Sequence, residues 1–269
     1  LAGHFGVTDE NNALKLGYDV VNACWPARLN GLEIPPTLLP DVVSAGQPIG
    51  TLQRCWCRRW GMTAGTRILS GTTDSTASFI ATGAQAGEAV TSLGSTLVLK
   101  IRSDTPVFAP EYGVYSHRLG NSWLAGGASN SGGAVLQQYF NSDEIRQFSG
   151  MISPGEPTGL DYYPLVTTGE RFPVNDPGLA PRLLPRPVED VAFYQGILEG
   201  IAHIELQGYR KLAELGTPWP ERVITTGGGA RNAAWRTIRA QLLGIPVVAA
   251  AHQEAAYGTA LLARQSCPP

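Results

Sequence analysis

Apolar residues recur with a helical period most clearly between Val191 and Leu215, where Ile197, Ile201, Ile204 and Leu212 share one face. Gly216 and Pro218 stop that helix. Shorter stretches repeat the period. From Asp74 to about Gly83, Ala77, Ile80 and Ala81 fall on one side, and from Asn232 to Leu243, Trp235, Ile238 and Leu242 turn inward. Gly133 to Phe140 and Glu254 to Arg264 read as further helices. Runs rich in strand formers lie between them: Arg67 to Ser70, Ala89 to Ile101, Tyr112 to Leu119, Ser122 to Gly126, Arg222 to Thr226 and Pro246 to Ala250. The runs between Ala89 and Gly126 follow one another through short turns, which predicts an antiparallel part of a sheet. The last third has an α/β rhythm of strand, turn and helix. Ser153 to Pro187, rich in Pro and Gly, reads as an irregular excursion ordered by its aromatic residues.

The length of 269 residues suits one large or two ordinary domains, and the 43% hydrophobic content supports a real core. Small residues between Ala84 and Gly87 predict a boundary, with 1–84 on one side and 85–269 on the other. A net charge of −2 argues against nucleic acid as the main partner, and no apolar run has the length of a membrane span. Cys24, Cys55, Cys57 and Cys267 match no zinc-ligand spacing and lack the Cys-x-x-Cys redox pattern. Free thiols, with no Asn-x-Ser/Thr acceptor, fit a reducing compartment: the cytoplasm, or the plastid for a plant chain.

The candidate chemistry centres on Ser70-Gly-Thr-Thr-Asp74, a strand end and turn that open a helix. Thr72 or Thr73 can cap it, and Asp74 sits where the helix dipole favours an acid. Soon after comes the turn Gly94-Ser95-Thr96, which offers backbone N–H groups and hydroxyls to an anion. A carboxylate beside a phosphate-sized anion site is what phosphoryl transfer to a hydroxyl requires, although either half alone is as ordinary as a capping charge or a turn. Gly227-Gly-Gly-Ala-Arg-Asn232 joins a strand to a helix, so its glycines admit a flat ring close to the backbone. Trp235, one turn in, either packs on such a ring or belongs to the core. The glycines of Gly126-Gly-Ala-Ser-Asn-Ser-Gly-Gly133 either let backbones approach or turn N–H groups to a ligand. His203 reads as a packed or solvated histidine rather than a metal ligand. The sequence holds no P-loop, no Gly-x-Gly-x-x-Gly fingerprint and no Gly-x-Ser-x-Gly elbow.

Taken together, Gly71-Thr-Thr-Asp74, Thr91 to Lys100, Thr226 to Asn232 and Glu254-Ala-Ala-Tyr-Gly258 resemble the FGGY carbohydrate kinases along essentially the whole chain. Tyr115-Ser-His-Arg118, Gly127-Ala-Ser-Asn130 and Gly169-Glu-Arg-Phe-Pro173 look most like the xylulokinase-like, D-ribulose kinase branch of cyanobacteria and plants. The resemblance implies an actin-like, ribonuclease-H-like ATPase fold of the α/β class, with two domains and a cleft between them. It implies ATP and Mg2+ as cofactors, the metal held mostly by phosphates and water, and a small sugar as substrate. Asp74 matches the catalytic base. Gly94, Ser95 and Thr96 match the turn that contacts the ATP phosphates, and Gly228, Gly229 and Asn232 the adenosine site, flanked by Trp235. The family's opening strand with its Asp-x-Gly-Thr phosphate loop has no counterpart here, and the chain starts mid-pattern at Leu1. The expectation is a first domain that is incomplete, with a missing N-terminal segment of the same protein as partner. Two other readings stay open: a nucleotide-binding scaffold on this fold without kinase activity, and a sugar-binding module without ATP chemistry.

Overall fold

A computed structural model describes residues 1–32 and 35–266, and Cys267 lies outside the described residues. The chain forms two compact units: Leu1–Gly83 with His117–Ser122 and the stretch from His252 onward, and Ala84–Ser116 with Trp123–Ala251.

In the first unit, strand β1 (Val7–Asp9) leads into α1 (Glu10–Lys15), and β2 (Asp41–Val43) pairs with β1 in parallel. Asp9 caps α1 by accepting from the N–H groups of Asn11 and Asn12 at 3.0 and 3.1 Å. β3 (Pro48–Thr51) precedes α2 (Arg54–Trp60) and pairs antiparallel with β4 (Arg67–Leu69). Helix α3 (Asp74–Ala81) follows; Thr73 is its N-cap. Phe79 is buried beside Ala77 and Ala81, whereas Ile80 is only half-buried, so the inward face is rotated from the expected one. Asn11 is fully buried and its amide donates to Thr72 Oγ1 and to the Arg118 carbonyl, both at 2.9 Å. Its Oδ1 accepts from Arg118 N–H at 2.8 Å, which ties 117–122 to this unit.

The second unit opens with β5 (Glu88–Leu93), β6 (Leu97–Ser103), β7 (Tyr115–Leu119, which runs into the first unit) and β8 (Ser122–Ser129). Then come α4 (Gly133–Tyr139), α5 (Ser142–Ser149), α6 (Asp190–Glu214), β9 (Arg222–Thr226), α7 (Ala233–Leu243) and β10 (Val247–Ala249). The strands make one sheet in the order β10-β9-β5-β6-β8-β7. β5–β6 and β6–β8 are antiparallel, as the short turns predict, while β5–β9 and β9–β10 are parallel, as the α/β rhythm predicts. The four isoleucine and leucine positions expected inside α6 are all at most 1% exposed. On α7, Leu243 rather than Leu242 is the deeply buried residue.

One strand runs further than the sequence reading has it, and the Pro- and Gly-rich excursion is ordered by its aromatics as expected. β8 continues through Gly126 and Gly127 to Ser129 instead of breaking at the glycines. The cause is packing, since a Cβ on Gly127 would lie 2.7 Å from the Phe172 ring. The excursion over 153–187 docks through Tyr162, Tyr163 and Phe172, all buried, and through Glu170. That carboxylate, 2% exposed, accepts from Ser129 Oγ at 2.5 Å, Asn130 N–H at 2.7 Å and Tyr163 Oη at 3.1 Å.

The last helix, α8 (Ala255–Ser266), packs on α3 within the first unit. Gly258 is the reason. A Cβ there would sit 1.8 Å from the Ala77 carbonyl oxygen, so only glycine lets the two backbones meet. Gly258→Ala is expected to force the helices apart and to cost about 1–3 kcal/mol, the usual range for overpacking. Urea denaturation of the variant against the parent measures it.

Candidate functional site

β5 and β9 run side by side in parallel with Ser92 opposite Thr226, so the turns that follow them emerge at the same edge of the sheet. One is Gly94-Ser95-Thr96, closed by a hydrogen bond from Gly94 N–H to the Thr96 carbonyl at 3.2 Å. The other is Gly227-Gly-Gly, which runs into a 3-10 turn over Gly228–Arg231. Gly227 takes a φ of +81°, and a Cβ on it would meet the Leu93 carbonyl oxygen at 2.5 Å. A side chain there would therefore push the two turns apart. The start of α4 is stitched to the same place, with Gly133 N–H donating to Gly94 O at 2.8 Å and Ala134 N–H to Ser95 O at 3.2 Å.

These turns wall a pocket of about 760 Å³ that lies wholly in the second unit. Gly94, Ser95, Gly228, Gly229, Asn232 and Trp235 all line it. Thr96 does not; its carbonyl closes the turn from behind. α5 supplies the facing wall through Ser142, Ile145, Arg146 and Ser149. Sequence reasoning missed α5 and Ser149, yet a signal was present. Asn141 and Glu144 have the spacing of a capping box, and both reciprocal bonds form. Tyr194, on α6, is the other missed residue.

Trp235 lines the pocket and also packs into the core. Its ring is 2% exposed, its indole N–H donates to the Leu198 carbonyl at 3.0 Å, and a Cβ on Gly229 would lie 2.8 Å from it. The ring braces the glycine turn from the core side. Asn232 caps α7 by accepting from Trp235 N–H at 2.9 Å. Beneath the pocket, Arg239 and Glu205 form a buried two-point ion pair at 2.5 and 2.6 Å, with both side chains 1% exposed. Thr91 of β5 donates to Glu205 at 2.5 Å and Thr225 of β9 accepts from Arg239 at 2.7 Å, so the pair holds both strands that carry the turns. Tyr209 Oη lies 2.7 Å from Thr91 Oγ1; burial first, and then the neighbouring Glu205, push its phenol well above the ordinary range.

Asp74 belongs to the first unit, at the start of α3. Thr73 does the capping, and the exposed Asp74 carboxylate accepts from Ser75 N–H at 2.7 Å. His203 lines a separate pocket of about 440 Å³, and its Nδ1 lies 2.9 Å from the Glu199 carbonyl. Among the described residues no group of three or more His, Cys, Asp or Glu is arranged to hold a metal, and no helix is long and apolar enough to cross a membrane.

The family model for "FGGY family of carbohydrate kinases, C-terminal domain" matches residues 89–266, which takes in both turns and the whole pocket. The chain belongs to the FGGY carbohydrate kinases. It is 27% identical over 247 residues to an L-fuculokinase of Salmonella typhi, covering 82% of this chain and 48% of the relative. To the xylulose kinase of Escherichia coli K12 it is 26% identical over 250 residues, covering 88% and 47%. It thus spans about half the length of the curated relatives it matches. A solved xyloylose kinase from Brucella ovis superposes with a TM-score of 0.84 at 23% identity, over 98% of this chain and 57% of that one. This likeness shows that the chain shares the fold of that kinase over its own length.

Proposed function

We propose that the whole protein phosphorylates a ketopentose, D-ribulose or D-xylulose, at a primary hydroxyl with ATP. The observation that carries this reading is the convergence of the Gly94-Ser95 turn and the Gly228–Asn232 turn on one pocket. Its volume of about 760 Å³ suits a nucleotide-sized ligand, and its described lining includes Arg146 and Arg231 but no carboxylate. Ser95, through its hydroxyl and N–H, would receive the phosphates, with Gly94 letting them approach and Thr96 closing the turn behind. Gly228, Gly229 and Asn232 would receive the adenosine, on a wall that Trp235 supports. Magnesium, held mostly by phosphates and water, supplies charge neutralisation when bound. Family membership and the curated relatives, named for fuculose and xylulose, both ketoses, support a sugar acceptor.

In the step itself Asp74 accepts the proton of the sugar hydroxyl. The hydroxyl oxygen forms its bond to the γ-phosphorus as the bond to the bridging oxygen breaks, and that electron pair leaves on ADP. The test is ADP release by the whole protein with ATP, Mg2+ and a panel of D-ribulose, D-xylulose, L-fuculose and glycerol. The pentuloses are expected to give the highest kcat/KM. ADP binding without turnover of any sugar would favour a nucleotide-binding scaffold in its place.

A further inference from the structure

Outside the pocket, Ser129, the last residue of β8, is fully buried and its hydroxyl is held between two groups. It donates to Glu170 Oε2 at 2.5 Å and accepts from Ser131 N–H at 3.0 Å. Glu170 fixes it in that place. Oε1 of the carboxylate accepts from the N–H groups of Asn130 at 2.7 Å and Arg171 at 2.9 Å, and Oε2 also accepts from Tyr163 Oη at 3.1 Å. A carboxylate carries lone pairs on both oxygens, so all of these donors can converge on it at once. Ser129, Ser131 and Glu170 do not belong to the described lining of the pocket.

The other end of this run of bonds is the Gly94-Ser95-Thr96 turn. Ser131 O accepts from the N–H of Leu97, the residue after Thr96, at 2.7 Å. Gly132 takes a φ of +153°, and a Cβ on it would lie 2.6 Å from Ser95 O and 2.7 Å from Thr96 Cα. The backbone of 131–132 therefore lies directly against the turn, with no side chain between them. The turn that holds Gly228 to Asn232 is fixed from other directions. Gly227 abuts the Leu93 carbonyl, and Asn232 caps α7.

Resting on the nucleotide reading above, we infer that Glu170 is a positioning residue for phosphate binding. Through Ser129 and the 131–132 backbone it sets the place of the Ser95 turn, and so the affinity for the phosphates but not for the adenosine. The excursion that carries Glu170 thereby acts on the phosphate end of a pocket that it does not itself line.

Calorimetry of ADP on the whole protein, with adenosine measured by its displacement of ADP, tests this in Ser129→Ala and Glu170→Gln. Ser129→Ala removes the acceptor of the Ser131 N–H. Glu170→Gln puts an amide NH2 where one set of donors needs a lone pair. In each, ADP is expected to bind about tenfold more weakly, the scale of one buried donor left without its partner, while adenosine stays within about twofold of the parent. Glu170→Gln also removes a negative charge, which by itself would favour an anion, so a loss of ADP affinity reads placement and not charge. Thermal unfolding checks that each variant is folded, and either one that folds suffices. A role in folding alone would leave the ratio of ADP to adenosine affinity as it is in the parent, which would overturn the inference. Unchanged or raised ADP affinity in a folded variant would also overturn it, with the nucleotide reading intact. Failure of the parent to bind ADP would instead remove the nucleotide reading itself.

Discussion

Asp74→Asn in the whole protein is expected to lower sugar phosphorylation by about 10³-fold, in the range that a positioned general base contributes. The substitution keeps size and the place at the start of α3, where Thr73 does the capping, so the helix should stay folded. It removes the carboxylate proposed to take the hydroxyl proton. The nucleotide pocket is lined by residues of the second unit alone, so ADP affinity should not change. The loss is expected in kcat, at unchanged KM for ATP, because an interaction made only as the hydroxyl loses its proton lowers kcat and kcat/KM together. Initial rates over a matrix of ATP and sugar concentrations, with ADP calorimetry alongside, check both halves. Turnover at the parental rate would take Asp74 out of the reaction.

Arg239→Ala is expected to destabilise the second unit by about 3–5 kcal/mol, the cost of leaving a buried partner charge without compensation. The geometry makes the effect large. Glu205 would lose both guanidinium bonds at a site 1% exposed, and Thr225 would lose its donor. The double variant Glu205→Leu with Arg239→Met removes both charges and should recover most of that loss, since an apolar pair of similar volume often replaces a buried ion pair at little cost. Denaturant titration of the single and double variants gives the comparison. Equal losses in the two would mean that the pair contributes through its hydrogen bonds to Thr91 and Thr225 rather than through charge balance.

Much of the second unit was legible because its elements carry strong periodic signals. The α6 isoleucines, the strand runs from Ala89 onward and the strand–glycine–helix sequence near Gly227 each state their own geometry. The pocket followed from the same signals, because the two glycine turns close strands that lie in parallel register. What could not be read was which partner each residue meets. Trp235 sits at a spacing that suits either a ligand face or the core, and its bond to the Leu198 carbonyl, 37 positions away, has no mark in that spacing. Glu205 and Arg239 lie 34 positions apart on separate helices, and nothing local marks either as charge-paired. α5 was missed for a different reason: it is about two turns long and its apolar face is only Ile145 and Phe148, too short a run to show a period, although its cap was written in Asn141 and Glu144.

The seating of α8 against α3 sets an order of assembly. The surface that Gly258 brings to residues 74–81 is made some 180 positions after them. Until then the Ala77 face of α3 has no native cover, whereas every element of the second unit's sheet has already left the ribosome. The larger unit can thus close first, and the smaller one finishes only when the chain doubles back. Premature termination between Ala249 and Ala255 would spare the strands of the sheet and strand the acid-bearing helix.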